Sequence, residues 1–175
     1  RSPPPTAACG RLAGSSSTAS VSALPKSITV WVPGKPETQG STRCFTPPGS
    51  RKPVIVHDNP RLGAWRTAVT FLVKHAAHKA RWDTPLDEPV EVIAEFYLQP
   101  PKRPRFKLPA VKPDLDKLQR AIGDALGNGI LRDDSRIVHW NVWKHYGTEQ
   151  GVKLTLTRLT QEEVTRLAQE GEDDQ

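Results

Sequence analysis

The sequence predicts an α+β domain, a small mixed or antiparallel sheet packed with two main helices. Three observations carry this. Residues 60–80 and the stretch after Pro113 place apolar side chains at helical spacing. Residues 27–32, 89–99, 136–146 and 151–159 are β-branched, aromatic or alternating, as strands are. Strands and helices do not follow one another in regular βαβ order, so an all-parallel sheet is not expected. With 175 residues, one domain with a real core and no disulfide staple is the natural organisation.

The elements follow in order. Residues 1–26 are rich in Pro, Ala and Ser and contain "GSSSTAS". They hold too little apolar surface to offset the entropy of ordering, so a disordered tail is expected. The folded domain then runs over 27–160. "SITVWV" forms a first strand, ended by Pro33-Gly34. "KPETQGSTRCFTPPGSRK" reads as a mobile loop leading to a short strand at "PVIVH". Asn59-Pro60 opens a helix over 60–80, with Leu62, Trp65, Val69, Leu72, Val73 and Ala76 on its apolar face. In "PVEVIAEFYLQ", Val90, Val92, Ala94 and Phe96 share one face of a strand. Pro113 disfavours helical backbone at Lys112, so the second helix starts at or after Pro113 and Asp114 is its N-cap or first-turn residue. Leu115, Leu118, Ile122, Ala125 and Leu126 mark its apolar face, and "GNG" at 127–129 stops and reverses it. The strand 136–146 should carry Val138, Trp140 and Val142 on one face and Ile137, His139, Asn141 and Trp143 on the other. Residues 151–159 are its expected hairpin partner across a short Gly-containing turn. A short acidic helix and tail occupy 161–175.

Composition excludes several classes. No apolar run approaches the roughly 20 residues of a membrane span, and no apolar h-region marks a signal peptide. Cys9 and Cys44 have no metal-ligand spacing and are too few for a disulfide framework, so free thiols in a reducing compartment are expected. There is no Gly-rich phosphate loop, nucleophile elbow or zinc spacing. His75 and His78 are spaced i, i+3 but lack a third ligand nearby, and read as surface residues. The net charge of +6 is unevenly spread, because residues 161–175 carry six acids against Arg166 alone. Residues 101–112, "PKRPRFKLPAVK", hold Lys102, Arg103, Arg105, Lys107 and Lys112 with no acid, and Arg43, Arg51 and Lys52 add bases in the first loop. A field of that sign attracts polyanions, nucleic acid first. Such loops would follow phosphates without reading bases.

Against that basic background, residues 112–138 concentrate Asp114, Asp116, Asp124, Asp133 and Asp134. An Asp at a helix start complements the dipole, and Asp133-Asp134-Ser135 can be a plain turn. Two features point further. Asp114 and Asp116 straddle the junction between an extended segment and a helix, where the chain changes direction and two carboxylates can converge. Asp134 stands at the entrance to a strand after a helix and a tight reversal, which carries it back towards the same place. Three hard oxygen ligands suit Mg²⁺ or Mn²⁺, held together with waters and substrate phosphates. Arg120 lies four residues from both Asp116 and Asp124 on one helix face. It can touch a scissile phosphate or form an ordinary intrahelical ion pair; the spacing allows both.

"KPDLDKLQRAIGDAL", then "DDSRIV", then "KHYG" resembles the RusA family of Holliday-junction resolvases, crossover junction endodeoxyribonucleases of bacteria and, often, phages and prophages. "VPGKP" followed by "QGSTR" is similar to the family's opening strand and basic loop, so the resemblance covers roughly residues 27–158. It implies a homodimeric, Mg²⁺-dependent enzyme, in the cytoplasm of a bacterial or phage-infected cell, that cuts branched DNA by paired symmetric nicks. The family's catalytic carboxylates match Asp114, Asp116 and Asp134. The family's helix lysine is matched by Arg120, which cannot release its proton, and the usual Asn after the D-L-D triplet is Lys117. The strand 136–146 is apolar on both faces, which leaves one face for a second copy, with Trp143 as anchor. Two rivals are a DNA-binding module without catalysis and a DxD metal enzyme of another class. In the DxD transferases and phosphatases the motif follows an apolar strand, whereas here it follows Lys-Pro and opens a helix.

Overall fold

The computed structural model describes residues 25–172 except 41, 47, 50, 51, 53 and 58. The chain runs β1 (Ser27–Pro33), β2 (Thr42–Phe45), β3 (Val54–His57), α1 (Leu62–Lys79), β4 (Val90–Leu98), α2 (Leu115–Leu126), a 3-10 turn (Asp134–Arg136), β5 (Ile137–Tyr146), β6 (Gly151–Arg158) and α3 (Gln161–Glu172). The α+β class holds: a four-stranded mixed sheet in the order β1-β6-β4-β5, with α1 and α2 on one face and β2-β3 as a separate antiparallel pair. The short strand β2 sits inside what the sequence reads as loop. Residues 1–24, most of the expected tail, lie outside the described residues. Pro25 and Lys26 do not belong to a tail. The Pro25 carbonyl accepts from Trp82 Nε1 at 2.7 Å, and Lys26 pairs with Glu163.

The core forms between one sheet face and the two helices. Val32 of β1, Val92, Ala94 and Phe96 of β4, and Val152, Leu154 and Leu156 of β6 are sealed against Trp65, Val69 and Val73 of α1 and Leu118, Ile122 and Leu126 of α2. The periodicities in the sequence therefore mark the inward faces correctly. The helix starts are also local. Asn59 Oδ1 accepts from the Arg61 amide at 3.1 Å, ahead of α1. Thr160 and Glu163 form a reciprocal capping box at α3: Glu163 Oε2 accepts from the Thr160 amide at 2.9 Å, and Thr160 Oγ1 accepts from the Glu163 amide at 3.3 Å.

Two expectations about β5 are overturned. It is not a hairpin partner of β6. It pairs in parallel with β4, and β6 pairs antiparallel with β4 and with β1. A parallel pair requires a crossover, and the long loop with α2 supplies it. The link 147–150 then steps across the end of β4, held there by the Gly147 amide donating to the Leu98 carbonyl at 3.0 Å. β4, apolar at every inward position, takes the interior of the sheet, whereas the half-exposed β5 takes the edge.

The faces of β5 also differ from strict alternation. The register shifts between Val90 and Glu91, whose partners are Ile137 and His139, so Val138 is an extra residue bulged outward. Ile137 therefore packs inward with Trp140 and Val142, and Val138 is exposed. A one-residue bulge exchanges faces for everything on one side of it, and alternation alone does not reveal it.

Candidate active site

Two long-range contacts aim Asp134. The Leu86 amide donates to the Ile130 carbonyl and the Arg132 amide to the Leu86 carbonyl, each at 2.8 Å, which ties the chain after α2 to the segment before β4. Arg132 and Arg136 both pair with Asp87, bracketing the turn and holding the Asp87 carboxyl below the usual range. The reversal itself depends on Gly129, at φ +91°, a conformation that L side chains rarely adopt. Within the turn the two aspartates separate. Asp133 Oδ1 accepts from the Ser135 amide at 2.9 Å, and the Ser135 side chain and amide, with Arg136 nearby, keep its carboxyl below the usual range. The Asp134 carboxylate has no hydrogen bond or ion pair among the described residues and lines a cleft.

That cleft, of about 280 Å³, is lined by Asp116, Gln119, Arg120 and Gly123 of α2, Asp134 of the turn, and Ile137 and Trp140 of β5. The α2 residues stand one turn apart along one face, as i, i+4 and i+7 spacing requires. Asp116 is exposed and makes no hydrogen bond or ion pair among the described residues. Arg120 is likewise unpaired there. The intrahelical pair that the spacing allows does not form, because Asp124 is taken from the other side by Arg66 of α1. Arg66 also donates to Gln39, whose amide donates to the Lys117 carbonyl at 3.0 Å. One guanidinium thus locks α1, α2 and the first loop together and leaves Arg120 facing open solvent.

Asp114 stands apart from Asp116 and Asp134. It is the N-cap residue of α2, as expected, with extended backbone (φ −69°, ψ 137°), but its side chain does not cap the helix. It pairs with Lys117 Nζ at 2.9 Å. That bond, with Lys112 and Lys144 nearby, holds the Asp114 carboxyl below its usual range and raises the Lys117 ammonium. Asp114 lines a second, adjoining pocket with Lys35, Glu37, Lys112 and Lys117. The expected convergence of three carboxylates is therefore two plus one. Among the described residues no group of three His, Cys, Asp or Glu is gathered for a metal ion. The bend at the N-cap that was expected to draw Asp114 and Asp116 together turns them into neighbouring pockets instead.

The family model for endodeoxyribonuclease RusA matches residues 33–157. The chain belongs to the RusA endodeoxyribonuclease family. A search of curated proteins found no match. The RusA match contains β1's end, both helices, the cleft and nearly all of β6, whereas α3 lies beyond it.

Within this RusA domain the other predicted residues fall as follows. Lys102, Arg103, Arg105, Lys107 and Lys112 are all exposed in the loop between β4 and α2. Lys52 is exposed; Arg43 lies on β2; Arg51 and Cys9 lie outside the described residues. His75 and His78 are both exposed on α1. No helix is long and apolar enough to cross a membrane among the described residues. The sequence reading missed Lys144. From β5, its ammonium donates to the carbonyls of Val111 and Pro113, each at 2.9 Å, and so fixes the segment that enters α2 at Asp114. The lysine of "KHYG" was visible as part of a motif, but its target depends on β5 lying beside that loop.

Proposed function

We propose that this chain resolves four-way DNA junctions by paired symmetric nicks, acting as a homodimer with Mg²⁺ or Mn²⁺. The observation that carries the reading is the cleft in which two unpaired carboxylates, Asp116 and Asp134, face an unpaired Arg120 within the RusA-matched region. The donor set fits the metal: Mg²⁺ takes one or two carboxylates and completes its shell with waters and phosphate oxygens. Asp116 and Asp134 would hold it, and Asp114 would join them when Lys117 lets go. When bound, the ion supplies Lewis-acid polarisation of the phosphate and a more acidic water.

The protein's own groups do the rest. Hydrolysis of the phosphodiester breaks the bond to the 3′ oxygen and concentrates negative charge on the phosphoryl oxygens. Arg120, always protonated, binds that charge with its fork and has no part in proton transfer. Lys35 and Lys112, which share a pocket with Asp114, would receive the neighbouring phosphates. Lys144 keeps the strand-to-helix junction fixed, so that the carboxylates do not reorganise during turnover.

Paired nicking calls for two sites, and each chain supplies one cleft. The sheet face opposite the helices favours a second copy. Trp31, Tyr97, His145 and Trp143 form a continuous aromatic run across it, with ring centroids 5.5, 5.4 and 6.3 Å apart in that order. Trp31 packs closely on Gly151, where a Cβ would meet the Trp31 ring at 2.5 Å. Aromatic residues of this kind are what protein interfaces enrich.

A labelled four-way junction titrated with Mg²⁺ tests the reading. Symmetric nicks in opposed strands should appear with Mg²⁺ or Mn²⁺, and Ca²⁺ should permit binding with little turnover. Undiminished cutting in excess EDTA would remove the metal. Tight binding without cutting at any Mg²⁺ concentration would leave a DNA-binding module.

A further inference from the structure

We propose that the loop between β4 and α2 is a nucleobase-stacking wedge, with Phe106 as the side chain that stacks on bases left open at a DNA branch. The proposal rests on the branched-DNA reading above and adds to it a determinant of branch recognition.

The loop is built to project. Residues 99–112 are all exposed except Pro109, and a connection of that length without secondary structure is uncommon in a compact domain. Pro100, Pro101, Pro104, Pro109 and Pro113 restrict its backbone, which lowers the entropy lost when it presents a side chain. Its far end is fixed by Lys144, through the Val111 and Pro113 carbonyls. Asp114 follows eight residues after Phe106, so the tip stays within about 30 Å of the N-cap even at full extension.

The loop's chemistry has two parts. Lys102, Arg103, Arg105, Lys107 and Lys112 are exposed cations with no ion pair among the described residues, suited to phosphates. Between them stand three large apolar side chains that the fold leaves in water: Phe106 at 46%, Leu108 at 49% and Val111 at 51% exposure. Single exposed apolar residues are ordinary, but three within six positions of an otherwise charged loop form a patch that calls for a partner. The Arg105 guanidinium lies 5.1 Å from the centre of the Phe106 ring, and nearly half of Phe106 remains exposed.

A partner that meets both parts is polyanionic and offers flat apolar faces, which describes nucleic acid with unstacked bases. Linear duplex hides both faces of every base. A branch point exposes them. Phe106 therefore gains a contact on branched DNA that duplex cannot supply, whereas the lysines and arginines serve both alike.

The test measures binding of the full chain, in Ca²⁺ so that cutting does not interfere, to a four-way junction and to a linear duplex of equal length. Phe106→Ala, which loses one base–aromatic stack, should weaken junction binding about 5- to 150-fold and leave duplex binding unchanged. Phe106→Trp should restore it, and permanganate reactivity of thymines at the branch should rise with wild type and fall with Phe106→Ala. An unaltered thermal midpoint of Phe106→Ala is expected from its exposure. Equal losses on junction and duplex, or no loss on the junction, would overturn the wedge. So would wild-type binding to phosphatidylserine vesicles that Phe106→Ala abolishes with junction affinity unmoved. If the wild type neither prefers nor cuts junctions, the endonuclease reading fails by itself. The wedge is then decided on a single-stranded oligonucleotide, where Phe106→Ala must still lose at least about fivefold to stand.

Discussion

Asp133 and Asp134 are adjacent and chemically identical, yet their surroundings give them different work. Asp133 is occupied with the Ser135 amide, and Asp134 faces the cleft beside Asp116 and Arg120. Replacing a carboxylate with an amide keeps its shape and removes its charge. Asp116→Asn and Asp134→Asn should each lower the single-turnover cleavage rate at least about 10²-fold, the scale of losing a major electrostatic element. Junction binding should persist or tighten, because a negative charge facing phosphate has gone. Asp133→Asn should keep most of the rate, since Asn accepts the same capping hydrogen bond. A normal Asp134→Asn beside a dead Asp133→Asn would reverse the assignment. Asp114→Asn has a second consequence: it frees Lys117, so its loss of rate should be accompanied by altered salt sensitivity of binding.

At the scale of elements, α3 shows how an end of the chain is fastened. Thr160 and Glu163 cap it, and Glu163 also pairs with Lys26, ahead of β1. The Lys26 ammonium, then the Thr160 bonds, hold the Glu163 carboxyl down to about 2 from its ordinary 4.5. A depressed carboxyl stabilises the fold above its unfolded value and loses that contribution as pH falls through its folded value. The Lys26–Glu163 fastening should therefore be complete above 4.5 and be lost towards about 2. A carbon-detected NMR titration of Glu163 should show a midpoint near the lower figure. Lys26→Ala should move it back towards the ordinary value. A wild-type midpoint near 4.5 would show that the pair does not persist in solution.

For the whole molecule, the question is what covers the second face of the sheet. The helices cover one side except at the cleft beside β5, and the other presents Trp31 and Trp143, at 38% and 52% exposure. The Lys153–Glu95 and His139–Glu91 pairs lie on the same face. A homodimer through that face should sediment at about twice the chain mass at micromolar concentration without DNA. Trp143→Glu would bury a charge at the centre of such an interface and should yield monomer, with single uncoordinated nicks in place of paired ones. A wild-type monomer that still nicks both strands in concert would break the connection drawn between symmetry and resolution.

The sequence by itself determined what depends on neighbours along the chain. Helical spacing located α1 and α2 and their buried faces, Pro113 set the start of α2, and the D-L-D and D-D motifs contain both carboxylates of the cleft, Asp116 and Asp134. The capping box of Thr160 and Glu163 is local in the same sense, a Thr followed three residues later by Glu. Tertiary structure alone decided the rest, because strand pairing and side-chain partners depend on residues far apart in sequence. The short link 147–150 reads as a hairpin until β4 is known to occupy the place between β5 and β6. The bulge at Val138 exists only against the register of β4. Arg66 reaches Asp124 across the α1–α2 contact and so leaves Arg120 open, and Lys117 draws Asp114 out of the cleft that holds Asp116. Local spacing states which side chains are able to meet; the packing of distant segments selects which of them do.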